Sequence, residues 1–282
     1  MGKSESTVRQ TARKYDFRMA KKFGQNFLTD SSAIEAIADA SGAGPNDLVF
    51  EIGPGFGVLT RPLAERAGRL VAIEIDKKLI PILESELKDL KNVSVINEDV
   101  LKVDFNELIR NCSNAEHIRI VGNLPYYITT PILLGLLEQK VPAETITVMV
   151  QKEVADRIIA PPGGKDYGVL SVSLQYYCDC SFVLDVPRES FMPAPNVDSA
   201  VVNLTLRKEK VQVKSEEMFF KLVKKAFSQR RKTLCNSITG LEGHTKEEIA
   251  EIMERCGIES SRRAETLSIE EFARLADAFV KD

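Results

Sequence analysis

What this chain lacks narrows its chemistry first. It has only two histidines, and its five cysteines (Cys112, Cys178, Cys180, Cys235, Cys256) form neither a C-x-x-C pair nor an even set. That count argues against a disulfide framework, and no metal site is expected even at the closely spaced Cys178 and Cys180. No apolar run approaches the roughly 18 residues that a membrane span needs. No apolar leader opens the chain, and Glu5 and Asp16 count against a transit peptide in its basic N-terminus. Internal repeats and low-complexity tracts are also missing. A cytoplasmic protein with no membrane contact is therefore expected. With 44% hydrophobic content, 282 residues can bury a full-sized core and one smaller addition.

Positive charge is also scarce in bulk, since the chain carries −3 overall. Its distribution is uneven. Residues 1–28 hold Lys3, Arg9, Arg13, Lys14, Arg18, Lys21 and Lys22 against Glu5 and Asp16, a balance of +5. Residues 207–232 hold ten basic residues, among them Lys221, Lys224, Lys225, Arg230 and Arg231, against three acidic ones, a balance of +7. The rest must carry −15 to reach the total of −3. Two basic segments on an acidic body suit a local nucleic-acid footprint, whatever the bulk charge. Solvated lysines that serve solubility alone would give the same pattern.

What is present is a succession of apolar strands that each end in a polar or glycine residue. Val49-Phe50-Glu51-Ile52 runs into Gly53-Pro54-Gly55-Phe56-Gly57, whose glycines permit close backbone approach to a ligand. The spacing departs from the dinucleotide pattern G-x-G-x-x-G. About twenty residues on, Leu70-Val71-Ala72-Ile73 ends at Glu74, placed to accept hydrogen bonds from both hydroxyls of a ribose. A third strand, Val93–Asn97, leads to Asp99, which suits an adenine amino group; an isolated acid there would also serve as a turn residue. A fourth (Ile118, Ile120, Val121) leads to Asn123-Leu124-Pro125-Tyr126. An amide oxygen and a backbone carbonyl can accept both N6 protons of adenine, with the Tyr126 ring against the base face. Alone, that tetrapeptide is also compatible with a Pro-stabilised turn and a buried tyrosine. Together these residues lie on one rim of a parallel sheet, outside the carboxyl ends of its strands. The combination favours S-adenosylmethionine over NAD, because nothing resembles a hydride acceptor's site.

These motifs, with Lys22–Leu28, Gly122–Ile128 and Phe191–Ser199, resemble the small-subunit ribosomal RNA adenine N6,N6-dimethyltransferases over nearly the whole length. The resemblance implies an α/β, Rossmann-like class I S-adenosylmethionine-dependent methyltransferase sheet with a small C-terminal all-helical domain. It implies that Gln25, Asn26 and Leu28 close over S-adenosyl-L-methionine, with Gly53 and Gly55 beneath its methionine end. Glu74 and Ile75 would hold the ribose, and Asp99 and Val100 would frame the adenine. Asn123 would stand where cofactor and target meet, within a catalytic set of Asn123, Leu124, Pro125, Tyr126 and Phe191. Phe191 would sandwich the base opposite Tyr126, on a loop that Pro193 and Pro195 keep irregular. Lys21, Lys22, Lys221, Lys224, Lys225, Arg230 and Arg231 are the expected RNA contacts. The implied partner is the small ribosomal subunit or its precursor, bound by a monomer with a role in subunit biogenesis. The implied product is N6,N6-dimethyladenosine at two adjacent positions of the 3′-terminal hairpin loop of 16S rRNA. Related methyltransferases that act on large-subunit rRNA or on DNA adenine fit the motifs less well, and so does a non-catalytic assembly factor.

The expected layout is a catalytic domain over 1–207, with its basic segment 1–28, and a helical domain over 208–282. Strands are expected near 48–52, 70–75, 93–97, 118–122 and 145–150, alternating with helices. Two more follow near 181–186 and 199–206, the latter as an antiparallel addition. Past Arg207 the period becomes helical, with Met218, Phe219, Leu222, Val223, Ala226 and Phe227 on one face.

Overall fold

The computed structural model describes residues 3–17, 24–112 and 115–280. In chain order, α1 (Lys3–Lys14), β1 (Phe27–Leu28) and α2 (Ser31–Ala40) precede the alternating part. That part runs β2 (Asp47–Ile52), α3 (Thr60–Arg66), β3 (Arg69–Glu74), α4 (Ile80–Glu86), β4 (Val93–Asn97), α5 (Phe105–Asn111), β5 (His117–Asn123), α6 (Thr129–Glu138) and β6 (Thr145–Gln151). Then come α7 (Lys152–Ile159), α8 (Val169–Tyr177), β7 (Cys178–Val186), β8 (Phe191–Met192) and β9 (Ser199–Leu206). The chain ends in α9 (Glu216–Ala226), α10 (Leu234–Ile238), α11 (Lys246–Arg255) and α12 (Ile269–Asp277).

The main sheet has the order β4-β3-β2-β5-β6-β9-β7. Its first five strands pair in parallel, and β9 is antiparallel to β6. All six residues of β2 are buried, as a strand covered on both faces requires. Strand order reverses between β2 and β5, which leaves a crevice outside their carboxyl ends. The expected strands are found within three residues of their predicted ends, two of them with both ends as expected.

The described chain separates into two compact units. One takes residues up to Ala155 together with Cys180–Leu206 and carries nearly all of the sheet; the other takes Asp156–Asp179 together with residues from Arg207 onward. The boundary expected at 207 therefore needs correction, because the helical unit also recruits an earlier segment. The reason is packing: Tyr167, Val172 and Tyr176 share one buried cluster with Phe219, Leu222 and Phe272. On α9, Phe219, Leu222, Val223 and Ala226 form the buried stripe, while Met218 and Phe227 are half-buried. Helix starts in this unit are well capped. Ser215, Thr245 and Ser268 each accept a backbone N–H from the third residue beyond, and Glu248 and Glu271 return the bond to the caps of α11 and α12.

At the amino edge of the sheet lies a buried ion pair. Arg119 Nε donates to Asp47 Oδ2 at 2.6 Å, with both side chains no more than 10% exposed. The same guanidinium donates to Thr145 Oγ1 at 3.2 Å, so one side chain links β2, β5 and β6. Removing one partner strands a buried charge. Arg119→Ala should cost about 3–5 kcal/mol of unfolding free energy. Combining Arg119→Met with Asp47→Asn should recover part of that loss. Urea denaturation reads both, and a loss below about 1 kcal/mol would place the pair among ordinary surface bridges.

Candidate active site

The parallel register brings the strand ends together. Ile52 pairs with Ile73 on one side and Gly122 on the other, and Glu74 pairs with Asn97. The residues that follow line one cavity, open to solvent. Its wall includes Gln25, Asn26, Leu28, Gly53, Gly55, Glu74, Ile75, Asp99, Val100, Asn123, Leu124, Pro125 and Tyr126. Every residue expected to hold the cofactor, and the whole 123–126 turn, is thus on one surface.

The glycine loop shapes the floor. Gly53 and Gly55 have φ of 70° and 60°, where a side chain is strained. A Cβ on Gly55 would also fall 2.9 Å from the Phe27 ring, so the N-terminal segment packs where a side chain would stand. Gly53 N–H donates to the Ile73 carbonyl at 3.0 Å, which fastens the loop to β3.

Glu74 is held by backbone donors. Gly55 N–H reaches its Oε2 at 3.3 Å and Asp76 N–H its Oε1 at 2.9 Å, which fixes the carboxylate and leaves lone pairs for a ligand. Burial pushes this carboxyl up to about 7, against the two N–H donors that favour its ionised form. Asp99 uses Oδ1 to accept the Leu101 N–H at 3.1 Å, capping a short turn over Val100–Lys102. Its other oxygen stays available to an exocyclic amine.

Asn123 is held by one hydrogen bond to the N-terminal segment. Its Nδ2 donates to the Asn26 carbonyl at 2.9 Å, an assignment that leaves Oδ1 as the free acceptor. Leu124 N–H donates to the Met149 carbonyl at 3.2 Å, while among the described residues its own carbonyl accepts nothing. Two oxygens of adjacent residues are thus left to receive two protons of one amine. The Tyr126 hydroxyl shares a 2.6 Å hydrogen bond with Ser199 Oγ on β9. Burial raises the phenol's pKa, with Ser199 acting the other way, so the ring stays neutral.

Other expectations need correction. Phe191 does not sit on an exposed loop. It forms β8, with Leu28 as its partner in β1, and its ring is 5% exposed within a cluster that includes Leu28, Ala33 and Ile37. Pro193 directly follows this two-residue strand, and the Phe191 side chain packs in the buried cluster with Leu28. Lys221 is ion-paired with Glu242, and Arg230 donates to the Lys165 carbonyl, so neither is an uncommitted phosphate ligand. Lys224 and Arg231 are exposed, and Lys225 is half-buried. Lys21 and Lys22 lie outside the described residues.

Three site residues were not singled out from sequence. Tyr127 lines the cavity with its ring 59% exposed. Ser199 reaches Tyr126 from a distant strand. Glu51 lines the cavity at 1% exposure, and among the described residues its Oε2 meets no hydrogen-bond partner. A lone carboxylate inside an otherwise apolar strand was the available signal for the last.

The donor set fits S-adenosylmethionine: carboxylates for ribose and amine, an open glycine floor, and a buried carboxyl group whose ionised form a cation would favour. A family model described as Ribosomal RNA adenine dimethylase matches residues 16–281. The chain is 50% identical over 275 residues to Ribosomal RNA small subunit methyltransferase A of Clostridioides difficile, covering 97% of this chain and 95% of that one. It is 48% identical over 278 residues to the protein of that name from Streptococcus thermophilus, with 97% and 96% covered. The solved 23S rRNA methyltransferase ErmE is 30% identical, with a TM-score of 0.70 over 90% of this chain and 99% of that one. A dimethyladenosine transferase from Plasmodium falciparum superposes with a TM-score of 0.76 at 24% identity, over 88% of this chain and 95% of that one, which supports the fold. With a matching model across nearly all of its length and relatives of such identity, this chain belongs to the ribosomal RNA adenine dimethylase family.

Proposed function

We propose that this S-adenosylmethionine-dependent rRNA adenine dimethyltransferase acts on the small ribosomal subunit or its precursor, at two adjacent adenosines of the 3′-terminal hairpin loop of 16S rRNA. The identity of 50% to a small-subunit enzyme, against 30% to one that acts on 23S rRNA, supports that target. The enzyme is read as a monomer that acts in the cytoplasm.

The observation that carries the chemistry is the locked amide of Asn123. With Nδ2 committed to Asn26, Oδ1 and the Leu124 carbonyl are the acceptors at the cavity wall. When bound, S-adenosylmethionine supplies a methyl group made electrophilic by its sulfonium. The chain's part is to prepare the acceptor. Adenine N6 is a poor nucleophile because its lone pair is delocalised into the ring. Two acceptors on its protons favour a pyramidal nitrogen and direct the lone pair toward the donor, and such alignment supplies much of the rate. No general base is needed, because the nitrogen becomes strongly acidic once methylated. After the first transfer a single N–H remains for one of the two acceptors, and a second transfer requires room in the cavity for the methyl that has replaced the other proton.

Extracting the base from its stack costs a few kcal/mol. Stacking on Tyr126 returns about 1–3 kcal/mol, and with Phe191 buried that one face is the main contribution. Ser199 helps by fixing the tilt of the phenol ring before the base arrives. In the helical unit the exposed Lys224 and Arg231 are the better candidates for phosphate contact.

Asn123→Ala should lower turnover by about a hundredfold or more, with cofactor affinity changed far less. Single-turnover methylation and calorimetry separate the two, and near-normal methylation would remove Asn123 from the chemistry. Labelled S-adenosylmethionine incubated with unmodified small and large subunits should mark small-subunit rRNA alone; label in the large subunit would replace the proposed target. Lys224→Ala with Arg231→Ala should flatten the dependence of log affinity on log salt by about 1–2. An unchanged slope assigns both to solvation.

A further inference from the structure

Glu51 is the one ionisable side chain in β2 besides Asp47, and the two have opposite circumstances. Asp47 has Arg119 at 2.6 Å, whereas among the described residues Glu51 faces no cation. Its register neighbours are Ala72 on β3 and Val121 on β5, both apolar and fully buried. From α3 the neighbour is Thr60, and from the end of β3 it is Glu74, itself a cavity-lining carboxylate at 6% exposure. Around Glu74 stand the N–H groups of Gly55, Ile75 and Asp76, and the carboxylate of Asp76 adds repulsion. Two buried carboxylates therefore share one cavity wall, and one of them has an oxygen with no partner.

Leaving an ionised carboxylate buried without a counter-ion costs several kcal/mol, so such a group keeps its proton instead. Burial, with Glu74 adding repulsion, pushes the Glu51 carboxyl up to about 8, and burial pushes Glu74 up to about 7. The free pocket thus holds protons at neutral pH. A ligand bearing positive charge reverses the balance, because it supplies the missing counter-charge. S-adenosylmethionine is cationic at sulfur; S-adenosylhomocysteine, which remains after transfer, is a neutral thioether with the same amino-acid end.

We propose that Glu51 and Glu74 form a proton-linked counter-charge: the free pocket holds a proton on this pair, and binding of S-adenosylmethionine displaces it to solvent. The step balances as a carboxylic acid that becomes a carboxylate, with one proton passing to buffer. The pocket then discriminates donor from spent product by charge. Loss of the sulfonium charge on transfer removes the reason for the pair to stay ionised, a proton returns, and the hold on the product weakens. The inference rests on the placement of S-adenosylmethionine in this cavity.

The sign of the pH dependence follows. The ligand prefers the ionised pair, so its affinity is full above the free-state values and falls as pH drops below about 8. For one linked proton the fall is about tenfold per pH unit, and for S-adenosylhomocysteine it is shallower. Titration calorimetry at about pH 7.5, midway between the two free-state values, in two buffers of different ionisation heat, counts the protons released. About one proton per S-adenosylmethionine bound is expected, with clearly less for S-adenosylhomocysteine. In Glu51→Gln the release should drop and the donor-to-product affinity ratio should lose most of its pH dependence. Difference infrared spectra of the wild-type protein add a readout independent of that variant: the carboxylic-acid C=O band should disappear when S-adenosylmethionine is added. Equal release for the two ligands, or an unchanged band, overturns the proposal. Failure of both ligands to bind would overturn the placement in the cavity as well.

Discussion

The hydrogen bond from Asn123 Nδ2 to the Asn26 carbonyl joins two parts of the chain that are far apart in sequence, and the site depends on it. On one side is the end of a central strand, whose position is fixed by ladders to β2 and β6. On the other is a short extended segment that has no place in the main sheet. The bond spends the amide's donor on the protein and so dedicates its oxygen to the substrate. An asparagine without that partner could present either end to the cavity. The acceptor character of the site is therefore a property of the N-terminal segment as much as of the 123–126 turn.

That segment is held in turn by two contacts. Phe27 and Leu28 pair antiparallel with Met192 and Phe191, and the Phe27 ring packs where a Gly55 side chain would be. The Thr29 N–H and hydroxyl both donate to the Ser190 carbonyl, at 2.7 and 2.9 Å. A strand pair of two residues is weak by itself, and the buried rings of Phe27 and Phe191 give it footing. Phe191 consequently acts on the site through Leu28 and the segment around it, by packing.

Much of the site was legible because its residues follow one local rule. A polar or glycine residue that closes an apolar run sits at the carboxyl end of a strand, and Gly53, Glu74, Asp99 and Asn123 all obey it. Five parallel strands of similar length then place those ends on one rim without any long-range information. What was not legible depends on pairing between distant segments. Phe191 was assigned to a loop because a two-residue strand leaves no period to detect. Residues 156–179 were assigned to the wrong unit because their partner helices lie after the last strand. Lys221 could not be told from Lys224, since Glu242 enters from another turn of chain. Glu51 is marked in the sequence only by its place in an apolar run, which does not show whether a counter-ion reaches it.

The acidity of the cavity wall raises an apparent conflict with an RNA substrate, whose phosphates should be repelled. Burial resolves it. Glu51 and Glu74 are at most 6% exposed, and their raised pKa values keep negative charge low while the pocket is free. When the cofactor is bound, its cation offsets the carboxylates that then ionise. In both states the approaching backbone meets far less charge than a count of acidic residues suggests, and the exposed Glu98 and half-buried Asp99 account for most of the remainder. A chain with a net charge of −3 can therefore work on RNA, because its acidic groups nearest the chemistry are paired with protons or with the donor when the substrate arrives.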